Sequence, residues 1–310
     1  MDGALIVDKP AGMTSHDVVL SVRRLLAEKR IGHLGTLDPF ATGVMALLVG
    51  KATRLAQFYR QREKCYHGII RFGFATDTMD STGAPLCEDS HPEVKEEELR
   101  RVMTEFTGSY LQHPPAFSAK KISGVPAYRL ARKGVDVKLA AVSVVVHSLE
   151  LLWAEGARAG FEARVSSGTY IRSLVNDIGE RMKLGAHLAE LRRTSLGEFG
   201  EPQALTLDEL KARRAGGTLV LIAMEDLVPE FPMFVLNHTE VERVGQGNNL
   251  ELSSAAERVR LMNGQGCLIA VAERIGEGLY HPVVVMVTAA GLTSASPETR
   301  PVVLSPARDY

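Results

Sequence analysis

Between Tyr66 and Phe74 apolar positions recur at every second residue: Tyr66, Gly68, Ile70, Phe72 and Phe74 share one side. That period predicts a half-buried strand. Runs rich in Val and aromatics over 142–153 and 160–165 predict two paired strands. Gly3 to Val7 reads as a short buried strand stopped by Asp8-Lys9-Pro10, and Val44 to Val49 as a second apolar strand. Elsewhere the period becomes helical. Val18, Val22, Leu25 and Leu26 form one apolar face behind Thr14-Ser15-His16-Asp17, which has capping-box spacing. A charged-faced helix is predicted over 94–106, ended by Gly108. Another is opened by Ser166-Ser167-Gly168-Thr169 and carries Tyr170, Ile171, Arg172, Leu174, Val175 and Ile178. Past Pro229 and Pro232 the chain turns glycine- and β-rich, over 259–262, 266–272 and 283–287. The expected fold is α+β: a mixed, mostly antiparallel central sheet with flanking helices over 1–230, then a small β-rich domain over 233–310.

One stretch fits neither period. Residues 32–45, GHLGTLDPFATGVM, are too rich in Gly, Thr and Pro for a regular element. Pro39 fixes its own φ and biases Asp38 toward an extended conformation. A single carboxylate is thereby carried on a stiffened loop just before a buried strand, the kind of place where scaffolds present catalytic groups. Asp-Pro is also common in plain turns, and the residues alone leave that alternative open. Tyr66 is readable as a core aromatic, the usual fate of such a residue, or as a stacking platform. Arg172 is a surface cation, or a buried one that needs a carboxylate partner.

The stretch GHLGTLDPFATGVM resembles the catalytic-loop signature of the TruB family of tRNA pseudouridine synthases. Four further runs match in the same order: Gly3-Ala4-Leu5-Ile6-Val7-Asp8-Lys9-Pro10, Lys64-Cys65-Tyr66, Pro114-Pro115-Ala116-Phe117-Ser118-Ala119, and Gly168-Thr169-Tyr170-Ile171-Arg172. The resemblance covers about residues 3 to 200. It implies the pseudouridine synthase fold, with Asp38 as the essential carboxylate and Arg172 as its partner. It further implies Tyr66 against the target base, with Tyr170, Leu191 and His33 lining the substrate site. Residues 112–140 look like an RNA-gripping insertion, with Lys120 and Lys121 as phosphate contacts, continuing through Tyr128 and Arg132. The tail resembles a PUA-like RNA-binding barrel. The implied reaction is isomerisation of uridine to pseudouridine at position 55 in the T-loop of tRNA. Atoms and oxidation state are unchanged, so no cofactor or metal is expected. Whether Asp38 attacks the uridine or removes a ribose proton stays open.

Composition adds limits. The 310 residues are 45% hydrophobic and 24% charged, ordinary for a globular chain. No apolar run approaches the ~18 residues of a membrane span, and no secretory leader pattern opens the chain. Three cysteines, Cys65, Cys87 and Cys267, are too scattered for a disulfide framework or a zinc site. A cytoplasmic monomer with no membrane and no obligatory protein partner is expected. Gly50-Lys51-Ala52-Thr53 invites a phosphate-loop reading, but Met45 and Ala52 stand where that motif needs Gly and Ser/Thr. Two rival classes remain: a non-catalytic RNA-binding protein on the same scaffold, and an aspartyl-nucleophile enzyme for phosphate or halide chemistry. The second would want another acid or a metal close to Asp38, and Pro39-Phe40-Ala41 supplies neither.

The net charge of −1 hides a pattern. Residues 1–75 hold 11 Lys/Arg against 6 Asp/Glu, and 112–140 hold 6 against 1, whereas 233–310 hold 6 against 8. Two basic segments can line one RNA groove despite the neutral sum. Neutralising Lys120 and Lys121 should therefore flatten the salt dependence of tRNA binding. Each lost phosphate contact should reduce the log–log slope by about 0.7–0.9. A salt titration that leaves the slope unchanged removes this segment from the contact surface.

Overall fold

The computed structural model describes residues 1–118, 120–122, 124–131, 135, 137 and 139–286. The chain divides into two compact units, Met1–Ile222 and the residues from Ala223 on. In the first, one sheet runs in the order Gly3–Lys9, Thr42–Val49, Ala186–Leu196, Lys64–Phe72, Arg158–Val165, Val142–Glu155, Gly108–Gln112. Ile31–His33 adds to Thr42–Val49, and Phe199–Gly200 to Ala186–Leu196. Every pairing is antiparallel except the short one that sets Arg192 beside Thr42 and Arg193 beside Gly43. The mixed, mostly antiparallel sheet with flanking helices is as expected.

The period-2 reading holds in detail. In Lys64–Phe72 the residues at 64, 66, 68, 70 and 72 are buried and the others are not. Phe74 lies beyond the strand, where its ring packs against His187 at 4.6 Å between centroids. The buried face of the sheet packs against two helices, Glu96–Glu105 and Ile171–Met182, in a core that includes Phe72, Leu99, Phe161, Leu174 and Ile178. A second core lies under helix Ser15–Leu26, where Val18, Val22 and Leu26 meet Leu5, Met45, Leu47 and Leu210. The expected capping box is present, with Thr14 and Asp17 bonding each other's backbone N–H. Sequence periodicity misplaced some ends. The opening of the glycine-rich stretch is a strand, since Ile31–His33 pairs with Leu47–Val49. The helix expected to carry Tyr170 begins one residue later, with Tyr170 as its cap.

The second unit holds a five-stranded sheet in the order Met233–Leu236, Arg258–Asn263, Leu268–Arg274, Leu279–Val285, Leu250–Glu251, with helix His238–Gly245 packed on it. It is small and β-rich, as expected; residues 287–310 of the predicted domain lie outside the described residues.

The parallel contact is tight. Gly43 has φ +102, and a Cβ there would lie 2.2 Å from the Arg193 carbonyl oxygen. Neither strand can retreat, because each is paired on its other edge as well. Gly43→Ala should cost roughly 2–5 kcal/mol, combining left-handed strain of ~1–2 kcal/mol with overpacking of ~1–3 kcal/mol. Urea unfolding measures it, and a loss below about 0.5 kcal/mol would show that the junction yields.

Candidate functional site

Asp38 stands on the loop between strands Ile31–His33 and Thr42–Val49, where the parallel contact begins. The loop is fastened on both sides of it. The Ser15 hydroxyl, at the start of helix Ser15–Leu26, accepts from Leu37 N–H (2.8 Å) and donates to Leu37 O (3.1 Å). Lys9, fully buried, donates through Nζ to the carbonyls of Pro10 (2.9 Å), Pro39 (3.2 Å) and Ala41 (2.6 Å). Three carbonyls in place of a carboxylate make an expensive home for a cation. Burial pulls the Lys9 ammonium down to about 8, with Asp38 opposing. The side chains of Ser15 and Lys9, bonded to the loop's backbone, thus dictate where the Asp38 carboxylate emerges.

Arg172 meets that carboxylate from the first turn of helix Ile171–Met182. Its side chain is only 5% exposed. Nε lies 2.8 Å from Asp38 Oδ2 and Nη2 donates to Oδ1 at 3.2 Å, a bidentate fork. Nη1 donates to the Thr78 carbonyl at 2.9 Å and lies 3.3 Å from Asp80 Oδ2, and Nη2 also donates to the Phe117 carbonyl at 2.8 Å. Every nitrogen of the guanidinium is engaged. Asp80 is itself buried, and its Oδ1 accepts from the Thr78 hydroxyl (2.8 Å), the Thr82 hydroxyl (2.6 Å) and Thr82 N–H (3.0 Å). Two carboxylates therefore share one buried cation. Burial pushes the Asp38 carboxyl above its usual range, Arg172 pulls it back, and Asp80 pushes it up again.

Tyr66 is buried on strand Lys64–Phe72, directly across from Arg193 on Ala186–Leu196. Burial raises its hydroxyl pKa, opposed by the Arg193 guanidinium. Arg193, wholly buried, donates to the carbonyls of Val44 (2.7 Å) and Gly35 (3.1 Å) and so holds the underside of the same loop. Lys64 beside it is drawn down to about 8 by burial and by Arg193's charge. His33 is partly buried; its Nδ1 accepts from Gly35 N–H at 3.3 Å, and burial, then Arg193, lowers its pKa. Leu191 is buried opposite Gly68, lining a cleft of about 530 Å³ together with Phe40, Thr42, Ser81, Phe161 and Trp153. Asp38, Arg172 and Tyr66 are not among its lining residues. Tyr170 is half-buried at the helix cap. Lys120 is half-buried, its carbonyl accepting from Ala127 N–H at 2.7 Å. The side chains of Lys121 and Tyr128, and all of Arg132, lie outside the described residues.

The structure thus brings Asp38 and Arg172 into contact and sets Tyr66, His33 and Lys9 around the same loop. Sequence reasoning missed Asp80 and Lys9. Asp77-Thr78-Met79-Asp80-Ser81-Thr82-Gly83 carries turn chemistry throughout, so nothing in it singles out one buried carboxylate. Among the described residues no group of His, Cys, Asp and Glu could hold a metal ion, and no helix is long and apolar enough to cross a membrane.

Comparison with known proteins agrees with this geometry. A family model described as the N-terminal domain of TruB family pseudouridylate synthases matches residues 23–171, and one described as the C-terminal domain of tRNA pseudouridylate synthase B matches 172–218. The chain is 43% identical over 293 residues to tRNA pseudouridine synthase B of Solibacter usitatus, covering 92% of this chain and 100% of the relative. It is 42% identical over 292 residues to that of Thermobifida fusca, covering 92% and 98%. Among solved structures, a Cbf5–Nop10–Gar1 complex matches with TM-score 0.71 and 26% identity over 93% of this chain and 86% of the other.

The charge balance at Asp38 can be read directly. Arg172→Met should move the Asp38 titration midpoint upward, and Asp80→Asn should move it downward, because one removes a stabilising cation and the other a repelling anion. Carboxyl ¹³C NMR of the two variants checks this. Shifts in the same direction would show that the two groups do not act on Asp38 independently.

Proposed function

Because this chain belongs to the TruB family of pseudouridylate synthases and isomerises uridine to pseudouridine in tRNA, we propose that its target is uridine 55 in the T-loop, with Asp38 as the essential group. The observation that carries the assignment of Asp38 is the bidentate Arg172 pair on a loop fixed by Lys9 and Ser15. Pseudouridine formation breaks the N1–ribose bond, turns the base and rejoins it through C5. A base stacked inside RNA must first be extruded, at a cost of a few kcal/mol. The aromatic face of Tyr66 offsets part of that cost, since stacking contributes about 1–3 kcal/mol per base. Leu191 and Tyr170 flank the base, and His33 faces the RNA beside the loop.

Asp38 acts as the carboxylate, either attacking the uridine or removing a ribose proton. Arg172 keeps it charged and aimed, two tasks that a planar fork performs better than the point charge of a lysine. The reaction requires no redox cofactor or nucleotide, because the product is an isomer of the substrate at the same oxidation state. Residues 112–140, through Lys120 and Lys121, grip the T-arm phosphates, and the β-rich domain adds RNA contact. The protein works as a cytoplasmic monomer without an obligatory protein partner. The rival reading as an aspartyl phosphotransferase or dehalogenase finds one observation in its favour, the second carboxylate Asp80 near Asp38. That carboxylate is turned to Arg172 and two threonines rather than to open solvent.

Asp38→Asn keeps shape and removes charge, so tRNA should still bind while turnover disappears. Carbodiimide-dependent reverse-transcription stops on tRNA transcripts report both the position and the rate. A single-turnover rate above a tenth of wild type removes Asp38 from the role, and a stop elsewhere than position 55 overturns the target.

A further inference from the structure

The basic segment that begins at residue 112 is tied to the helix carrying Arg172 at three points. Strand Gly108–Gln112 ends in Gln112, whose side chain is entirely buried. Its Oε1 accepts from Tyr170 N–H at 2.8 Å, and its Nε2 donates to the Tyr170 carbonyl at 3.0 Å and to the Tyr110 hydroxyl. One residue on, the His113 carbonyl accepts from the Ser173 hydroxyl at 2.7 Å. Four further on, the Phe117 carbonyl accepts from Arg172 itself at 2.8 Å. Tyr170 caps helix Ile171–Met182 but its own side chain makes no capping hydrogen bond. Gln112, 58 residues away in sequence, bonds both backbone groups of that cap residue.

We propose that Gln112 is a positioning residue for the isomerisation. Its amide fixes the first turn of the helix so that Arg172 reaches Asp38. This rests on the roles of Asp38 and Arg172 given above. A primary amide presents one donor and one acceptor side by side, matching the N–H and C=O of a single backbone residue. A carboxylate accepts only, a protonated carboxyl does both, and a thioether does neither. Misplacing a catalytic group by about 1 Å can cost on the order of 100-fold in rate. Arg172 lies two residues from the clamped backbone, and the helix passes any shift of that backbone on to its guanidinium.

The test compares wild type, Gln112→Met and Gln112→Glu on a tRNA transcript. Gln112→Met, of similar length and apolar, should lower the single-turnover rate at saturating tRNA on the order of tenfold. Its tRNA Kd should stay within about twofold of wild type, because the phosphate contacts are untouched. Gln112→Glu is the second arm, needed in case the first fails to fold. Burial favours the protonated acid there, which restores the donor to the Tyr170 carbonyl. Its rate relative to wild type should therefore rise as pH falls from about 8 to about 6. The ionisable groups facing the position are Tyr110, pushed up by burial, Asp177, raised to about 6 by burial and by Glu180, and His113 next in the chain. All are present in wild type as well, so the ratio isolates residue 112. A Gln112→Met rate equal to wild type, a rate loss mirrored by an equal loss of tRNA affinity, or a flat ratio for Gln112→Glu would each overturn the proposal. A wild-type enzyme that does not isomerise position 55 would instead overturn the reading of the target, leaving Gln112 to be tested on whichever uridine is modified.

Discussion

The site depends on one buried guanidinium. Arg172 is 5% exposed and meets Asp38, Asp80 and the carbonyls of Thr78 and Phe117. Taking a cation out of water costs several kcal/mol unless its donors are satisfied. Here they are, by three segments far apart in the chain and all distant from the helix that bears the arginine: the Asp38 loop, the 76–83 turn and the 113–117 segment. Each segment's position is thereby a condition on the others. Such a pair contributes little net stability compared with a hydrophobic replacement of similar volume, but breaking one partner leaves an uncompensated charge. What it provides is a single geometry, fixed because any other leaves a buried charge unmet.

The two carboxylates on that arginine are not equivalent. Asp80 is held by the two Thr hydroxyls and a backbone N–H besides Arg172. The Asp38 carboxylate has Arg172 as its one hydrogen-bonding partner among the described residues, and the side chain is 36% exposed, open to a ligand. The environment thus separates an acid tied into the protein from one left accessible, as paired carboxylates in active sites are commonly separated. On its other side the loop rests on the fully buried cations Lys9 and Arg193, each donating to backbone carbonyls. Of the two, Lys9 also favours the charged form of Asp38, opposing the effect of burial.

Much of the fold was legible because it follows from local rules. The alternation in Lys64–Phe72, the Thr14–Asp17 box and the apolar face of Ser15–Leu26 each report on neighbours a few residues away. Motif wording supplied Asp38, Arg172 and Tyr66, which periodicity alone could not distinguish from a turn acid, a surface cation and a core ring. Asp80, Lys9 and Gln112 were not legible for a common reason. Their side chains are polar, their sequence neighbours are ordinary, and their burial is created by partners tens of residues away. The strand Ile31–His33 escaped notice for a related cause: its glycine lowers the local signal, and the pairing with Leu47–Val49 overrides it.

Why the acid should stand on a loop and not on a strand follows from the sheet. At Gly43 the backbone runs so close to Arg193 that no side chain fits, and the buried neighbours Val44 and Met45 belong to the cores. A carboxylate placed there would be enclosed and neutralised by desolvation. Five residues before Gly43, ahead of Pro39, the chain is out of the sheet, so Asp38 can face a ligand while Lys9 and Ser15 hold its neighbours. The parallel contact at Thr42 and Gly43 supplies rigidity and the loop supplies access. Arg172, arriving from helix Ile171–Met182, turns that accessible acid into one with a fixed direction.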